Sequence, residues 1–234
     1  MSNLTGITIL VTGASSGIGR ALSKMLVERD ATVLGVSRRP GSLPSGVVPI
    51  TADLTKRQDI QEMFSQLGQI AALVNCAGVA YHSRIVDGNP ADWEEMWRVN
   101  VFALTLCCQL SLRHFPREGG RIVNVSSMSG HRVPPTGGFY APTKFAVRAI
   151  TDALRNELKA AGSLVQVACV SPGFVDTPLL DQYFRGREDS LRKTRESMTM
   201  LKPEDVAASI LTILEAPTHV EIGDILMRSS EQQA

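Results

Sequence analysis

Short apolar runs rich in β-branched residues alternate along this chain with segments of helical periodicity. The predicted strands are 7–12, 32–37, 47–51, 72–75, 121–126, 165–170 and 221–227. The predicted helices lie near 17–29, 56–67, 91–113, 140–161 and 203–216. Most of the strands are continuously apolar, which is typical of a parallel sheet covered on both faces. Right-handed crossovers then predict an α/β fold, a doubly wound seven-stranded parallel sheet with helices on both faces and a crevice for a dinucleotide.

Composition and charge argue against several classes of partner. The 234 residues include 24 lysines and arginines against 23 aspartates and glutamates, which gives a net charge of +1. Because the charges nearly cancel, we expect neither nucleic acid nor an anionic membrane surface as a partner. No apolar stretch approaches the roughly 18–20 residues of a transmembrane helix, so we expect no membrane span. The first residues reach glycines before a secretory signal could form.

The four cysteines each lie among apolar residues, as buried free thiols usually do. They are Cys76, Cys107, Cys108 and Cys169. No cysteine or histidine has the spacing of metal ligands, so we expect a cytoplasmic protein without a structural metal.

A glycine-rich turn directly follows the first predicted strand and directly precedes the first predicted helix. Residues 12–19 read T-G-A-S-S-G-I-G, a G-x-x-x-G-x-G spacing in place of the usual G-x-G-x-x-G. Glycines let the backbone approach a pyrophosphate, which the free N–H groups and the dipole of the helix end can hold. Such turns also occur as plain connectors, so it is the strand–turn–helix context that favours nucleotide binding. The expected contacts are Gly13, Ser15, Ser16, Gly17, Ile18 and Gly19.

The second predicted strand ends in Ser37, Arg38 and Arg39. An acidic residue at this point would hold the ribose 2′-hydroxyl of NAD, whereas guanidinium groups match a phosphate in charge and geometry. The plain alternative is a pair of solvated arginines in a loop. Their distance from the glycine-rich turn favours a 2′-phosphate ligand, and hence NADP(H) as the cofactor.

Tyr140 and Lys144 are four residues apart, so they lie on one face of a predicted helix. A Y-x-x-x-K pair is common by chance and could be an ordinary surface pair. Ser127 gives it weight, because this serine follows the predicted strand 121–126 at the carboxyl side of the sheet, where ligands bind. The three side chains are therefore expected to share one site.

These three groups suit hydride transfer to a carbonyl carbon while the carbonyl oxygen collects a proton. Free tyrosine has a pKa of about 10, so it is a poor base at neutral pH. The Lys144 ammonium, together with an oxidised nicotinamide, is expected to lower the pKa of Tyr140. Ser127 can donate a hydrogen bond to the substrate oxygen as its charge grows.

In these motifs the sequence resembles the classical short-chain dehydrogenase/reductase family, and further matches follow in order along the chain. They are Asp53, Leu54, Asn75, Ala77, Gly78, Asn100, Pro172, Gly173, Val175 and Thr177. The resemblance implies that Asp53 and Leu54 flank the adenine and that the 172–177 loop borders the nicotinamide. It also implies that Asn100 anchors a proton-relay water near the lysine. Cys76 departs from the family's N-N-A-G motif, and the catalytic positions Asn100, Ser127, Tyr140 and Lys144 are intact.

The family implies a single Rossmann domain over 1–234, with a cofactor half near 1–120 and a catalytic half near 121–234. It implies an NADP(H)-dependent oxidoreductase that interconverts a ketone or aldehyde and an alcohol, with Tyr140 as general acid and base. A narrower resemblance rests on 127–133, 201–206, 222–225 and 231–232. It is to small NADP-dependent carbonyl and ketosteroid reductases like dehydrogenase/reductase member eleven and to insect farnesol dehydrogenases, which implies a small lipophilic substrate.

Two rival classes remain open at this point. A redox-sensing binding protein could keep the nucleotide fold without catalysis, but such proteins usually lose the tyrosine or the lysine. An epimerase or dehydratase of the extended type would use a T-G-x-x-G-x-x-G turn in a longer chain.

Two further expectations concern the surface. The charges of segment 181–196 nearly balance and indicate a solvated face, while nearby apolar residues could close over a hydrophobic substrate as a lid. These apolar residues are Leu179, Leu180, Tyr183 and Phe184.

In the family, the helices corresponding to 91–113 and 140–161 pair across a two-fold axis. The apolar run 99–108 exceeds what one helix face needs for its own core, which favours a homodimer or homotetramer.

Overall fold

Seven parallel strands form the central sheet of the protein. The structure is a computed structural model, and it describes residues 4–135 and 137–232. The strands are β1 (Thr8–Thr12), β2 (Thr32–Ser37), β3 (Val48–Thr51), β4 (Ala72–Asn75), β5 (Arg121–Val125), β6 (Gln166–Pro172) and β7 (Asp224–Met227). Their order in the sheet is β3-β2-β1-β4-β5-β6-β7. The predicted doubly wound seven-stranded sheet is confirmed, and its strand order reverses between β1 and β4.

Eight α-helices connect or follow the strands of the described chain. They are α1 (Gly17–Val27), α2 (Arg57–Ser65), α3 (Pro90–Trp97), α4 (Leu104–Ser111), α5 (Tyr140–Ala160), α6 (Pro178–Tyr183), α7 (Glu188–Ser197) and α8 (Pro203–Glu215). A π-helical segment, Arg98–Ala103, joins α3 to α4 and divides the single helix predicted near 91–113. Within residues 4–135 and 137–232, no helix combines the length and the apolar character that crossing a membrane requires.

The helices α6 and α7 lie in a region where the sequence predicted none. The α7 sequence, E-D-S-L-R-K-T-R-E-S, is mostly charged, and Leu191 is its only buried residue. A helix with a single buried side chain has no apolar stripe, so its periodicity cannot be read from the sequence.

The core lies on both faces of the sheet because successive strand residues point in opposite directions. In β1, Ile9 and Val11 pack with Leu22 of α1 and Ile210 of α8. Leu10 faces the other way, into the cluster formed with α2, α4 and α5. This two-sided burial explains why the strand sequences are continuously apolar.

A buried arginine fastens the end of α8 to the sheet. Arg121, at the start of β5, is 3% exposed. Its guanidinium donates hydrogen bonds to Gln166 Oε1 and to the carbonyl oxygens of Leu214, Ala216 and Pro217. These carbonyls lie at or beyond the last turn of the helix, where no intrahelical donor reaches them.

Candidate active site

The carboxyl ends of the central strands open into a cavity of about 250 Å³. This is the edge at which doubly wound sheets bind ligands. The sequence-predicted residues that line the cavity are Gly13, Ser16, Gly17, Ile18, Ala77, Gly78, Ser127, Tyr140, Lys144, Pro172, Gly173, Val175 and Thr177. The fold therefore brings five separate stretches of the sequence into one site.

The glycine-rich turn packs so closely against neighbouring backbone that Gly13 and Gly19 have no room for a Cβ. Gly13 has φ +69°, and a Cβ on it would lie 2.8 Å from Ala77 Cα. A Cβ on Gly19 would lie 2.4 Å from the Gly13 carbonyl oxygen. Ser16 precedes α1 with an extended backbone, and its side chain does not cap the helix. The uncapped first turn of α1 borders the cavity and fits the pyrophosphate of a dinucleotide. Ser15 and Gly19 belong to the turn but lie outside the cavity wall.

The residues that end β2 lie at the same edge of the sheet, outside the cavity. The Ser37 hydroxyl donates a hydrogen bond to the Arg39 carbonyl oxygen at 3.1 Å and accepts one from the Arg39 N–H at 3.0 Å. This turn leaves the side chains of Arg38 and Arg39 exposed to solvent. Two exposed guanidinium groups at the end of a strand can bind a phosphate bidentately.

Asp53 lies close to Arg38. Its carboxylate accepts hydrogen bonds from the N–H and the hydroxyl of Thr55, at 3.0 and 2.8 Å. Partial burial raises the pKa of Asp53. The Thr55 hydrogen bonds and the charges of Arg38 and Lys56 lower it by a larger amount, so the net pKa lies below its usual range. Leu54 packs against the core beneath this turn. The pair that the family places beside adenine is thus next to the exposed arginines.

The side chain of Asn75 is directed into the core. Its Nδ2 donates to Asn124 Oδ1 at 2.9 Å, and Asn124 Nδ2 donates to Thr151 Oγ1 at 3.0 Å. These buried bonds link β4, β5 and α5. Asn75 therefore positions the neighbouring cavity residues, and it does not line the cavity itself.

Tyr140 and Ser127 both line the cavity, and Ser127 is close enough to stabilise the ionised form of Tyr140. The Ser127 hydroxyl also accepts a hydrogen bond from the Ser129 N–H at 3.1 Å. Burial raises the pKa of Tyr140 above its usual value, and the hydrogen bond from Ser127 lowers it only in part. The expectation that the Lys144 ammonium lowers this pKa is therefore wrong for the isolated chain. The physical reason is burial, which raises the pKa of Tyr140 by more than the hydrogen bond from Ser127 lowers it.

Lys144 is 5% exposed and donates a hydrogen bond to the Val125 carbonyl oxygen at 3.0 Å. Burial lowers the pKa of Lys144 to about 8, although the neighbouring thiols of Cys169 and Cys76 act in the opposite direction. The amine therefore still carries a positive charge at pH 7. The site holds one buried cation beside the tyrosine.

Asn100 lies in the π-helical segment, which turns its amide toward the loop after β4. Its Oδ1 accepts from the Val79 N–H at 2.9 Å, and its Nδ2 donates to the Val79 carbonyl at 2.8 Å and to Thr143 Oγ1 at 3.2 Å. A Cβ on Gly78 would lie 3.3 Å from Asn100 Oδ1 and 3.9 Å from Lys144 Nζ. Asn100 thus fixes the loop that borders the lysine. π-Helical turns are frequent at functional sites.

An apolar wall from α6 covers the cavity. The predicted lid residues Leu179, Leu180, Tyr183 and Phe184 all line it. The Tyr183 ring meets the Tyr140 ring edge-on, with 6.1 Å between the ring centroids. The four residues therefore lie where the sequence placed them.

The cavity wall also contains residues that the sequence analysis did not assign to the site, among them Phe174 and Gln232. Gln232 is 9% exposed, and its Oε1 accepts a hydrogen bond from the Phe174 N–H at 3.0 Å. The topology gave one indication of Gln232, because the chain that leaves β7 at the carboxyl edge of the sheet starts next to the site. The sequence gives no indication that this segment would turn back onto the 172–177 loop.

Comparison with known proteins identifies the family. Residues 7–188 match the model of the short chain dehydrogenase family. Dehydrogenase/reductase SDR family member 11 of Bos taurus is 40% identical, and the match covers 95% of this chain and 96% of the relative. Farnesol dehydrogenase of Aedes aegypti is 30% identical over 97% of this chain and 98% of its own length.

Solved structures agree with this assignment. The closed form of a serine dehydrogenase complexed with NADP+ superposes with a TM-score of 0.91 at 28% identity, covering 97% of each chain. Serine dehydrogenase from Escherichia coli has a TM-score of 0.81 at 26% identity, over 97% of this chain and all of the other. Since the family model and the relatives span most of the sequence, this chain belongs to the short-chain dehydrogenase/reductase family of oxidoreductases.

Proposed function

We propose that this protein is an NADP(H)-dependent oxidoreductase that interconverts a ketone or aldehyde with a secondary or primary alcohol on a small, lipophilic substrate. The observation that carries the proposal is that Tyr140, Ser127 and the buried ammonium of Lys144 line one cavity. These groups lie in a cavity that the glycine-rich turn also borders.

In this proposal Tyr140 Oη transfers the proton. During reduction it gives its proton to the carbonyl oxygen of the substrate, and during oxidation it takes the proton of the alcohol. Ser127 donates a hydrogen bond to the same oxygen as negative charge develops there. A bound nicotinamide would supply or accept the hydride, and its oxidised form would add a positive charge to the site.

The raised pKa of Tyr140 suits one direction of this chemistry. A tyrosine that burial keeps protonated is ready to act as an acid in carbonyl reduction. As a base in alcohol oxidation it needs more positive charge nearby than Lys144 alone provides. Lys144 is held by the Val125 carbonyl, and Asn100 holds the adjacent loop, so both groups keep a fixed position during proton transfer.

The preference for NADP(H) is supported by the end of β2. Ser37 stands where a carboxylate would bind the ribose of NAD, and Arg38 and Arg39 are exposed beside it. Asp53 and Leu54 lie next to them and would flank the adenine. The serine dehydrogenase of similar fold was solved with NADP+, which agrees with this choice.

The lipophilic substrate class is supported by the cover of the cavity. The wall facing Tyr140 is built from leucines and aromatic rings, and such surfaces favour apolar ligands. The farnesol dehydrogenase similarity points the same way, whereas the serine dehydrogenase similarity names a polar substrate.

One assay panel tests the proposal. NADPH consumption would be followed with diacetyl and with estrone, and NADP+ reduction would be followed with farnesol and with L-serine. The account predicts turnover with an apolar ketone or alcohol and little with L-serine. Tight NADPH binding without turnover of any compound would instead favour a binding protein of the same fold.

A further inference from the structure

Two residues after β7 hold both ends of the segment that covers the cavity. We define the cover segment as residues 174–199, which contains α6 and α7. Gln232 Oε1 accepts a hydrogen bond from the N–H of Phe174, at the first end. The Glu231 carboxylate accepts from the Thr199 N–H at 2.6 Å and from its hydroxyl at 3.3 Å, at the other end.

The two ends of the cover segment meet at one point of the fold. Leu201 donates its N–H to the Phe174 carbonyl at 3.1 Å, and Asp176 donates its N–H to the Leu201 carbonyl at 2.9 Å. The segment therefore leaves and rejoins the fold at a narrow base. The position of the cover segment over the cavity therefore depends on these backbone bonds and on the residues that hydrogen-bond to its two ends.

The segment after β7 is built as an ordered turn. The Gln232 N–H donates to the Ser229 carbonyl at 3.0 Å, and the Glu231 N–H donates to Ser229 Oγ at 3.3 Å. Ser229 and Gln232 are both at least nine-tenths buried. A Cβ on Gly173 would lie 2.1 Å from Gln232 Oε1, so the amide packs directly on the loop that borders the cavity.

From this geometry we infer that Glu231 and Gln232 are positioning residues that hold the cover segment over Tyr140 and thereby set substrate affinity. They act through Phe174 and Thr199, and the contact that depends on them is the one between Tyr183 and Tyr140. Releasing either end lets the apolar wall move away from the bound substrate. Binding weakens as a result, while the proton-transfer groups of α5 stay in place. The kinetic part of this inference rests on the proposed function.

The test compares two deletions of the contacts with matched variants. Gln232→Ala and Glu231→Ala remove the hydrogen bonds to Phe174 and Thr199. As matched controls, Glu231→Gln keeps an acceptor oxygen for Thr199, and Ser230→Ala alters an exposed position in the same turn. Hydrogen exchange followed by mass spectrometry would be measured on the chain without cofactor. Kinetics would be measured with NADPH and either diacetyl or estrone, whichever is turned over faster.

The two alanine variants should exchange faster within 174–199 and raise KM for the ketone about threefold to tenfold, the effect of one lost hydrogen bond. Their kcat should stay within about twofold of the original, and Glu231→Gln and Ser230→Ala should behave like the unmodified protein. Unchanged exchange in 174–199 in both alanine variants would overturn the inference, as would a lower kcat at unchanged KM. Absence of turnover in the unmodified protein would refute the proposed function and leave the exchange result to decide the positioning role.

Discussion

Lys144 donates a 3.0 Å hydrogen bond to the carbonyl oxygen of Val125, from a position that is almost fully buried. The bond fixes the ammonium at the carboxyl end of β5, in the cavity that Tyr140 and Ser127 also line. Burying a cation costs free energy, and the lowered pKa of this lysine records that cost. A residue kept at such a cost is typical of a functional site.

The first prediction concerns how Lys144 affects stability at different pH values. Its pKa is about 8 in the fold against the ordinary lysine value of 10.5, a shift that corresponds to a cost on the order of 3 kcal/mol at pH 7. Between these two values the unfolded chain binds more protons, so the stability of the unmodified protein rises with pH. Lys144→Met lacks this titration but leaves the Val125 carbonyl unpaired at every pH.

The measurement is thermal unfolding of both proteins without cofactor, from pH 7 to above pH 10. The difference in Tm, variant minus unmodified protein, should fall as pH rises from about 8 to 10.5. A difference that stays constant over this window would mean that Lys144 is not held in a desolvated site.

The second prediction concerns cofactor choice. NADPH should bind more tightly than NADH, since Arg38 and Arg39 offer guanidinium groups and the strand end has no carboxylate. Arg38→Ala should remove most of that preference, and adding Ser37→Asp should shift it toward NADH. Arg117→Ala is the matched control, because Arg117 is also exposed but precedes β5 at the opposite edge of the sheet. Equal Kd values for both cofactors in the unmodified protein would defeat the assignment.

The third prediction concerns the hydrogen bonds from Arg121 to the carbonyls at the end of α8. Arg121→Met should lower the free energy of unfolding by about 2–4 kcal/mol, because buried carbonyls of Leu214 and Ala216 lose their donor. Chemical denaturation would measure the loss, with Arg117→Ala as the control for removing one arginine. A loss below about 0.5 kcal/mol would show that water replaces the guanidinium at these carbonyls.

The fourth prediction concerns assembly. Trp97, Phe102 and Phe145 are 47%, 44% and 38% exposed, and they lie on the helices that pair in the family. We expect a dimer or tetramer at micromolar concentration by light scattering. Phe102→Glu should weaken it, whereas Val86→Glu, at an exposed apolar residue outside these helices, should not. A monomeric unmodified protein would contradict the expectation.

The strand pattern and the motifs predicted the sheet and the shared position of Ser127, Tyr140 and Lys144, because both depend on local spacing and on parallel topology. Other features depend on contacts that no local pattern contains. Tyr140 is buried partly under Tyr183, which comes from a helix with little apolar periodicity, so the direction of its pKa shift could not be read from Y-x-x-x-K. Gln232 reaches the site through a turn after β7, a contact that the narrower resemblance at 231–232 does not indicate. The π-helical segment at Asn100 inserts an extra residue into a helical turn, which averaged periodicity hides.

The central claim is that Tyr140 transfers the proton, and Tyr140→Phe tests it most directly. The substitution keeps the ring that packs against Tyr183 and removes only the hydroxyl that would transfer the proton. Tyr81→Phe is the matched control, since it removes a hydroxyl that bonds to Glu95 at 2.7 Å. With NADPH binding and thermal unfolding shown to be unchanged, kcat for ketone reduction should fall at least about 100-fold in Tyr140→Phe and stay near the original in Tyr81→Phe. A Tyr140→Phe enzyme that keeps more than roughly a tenth of the original kcat would contradict the mechanism.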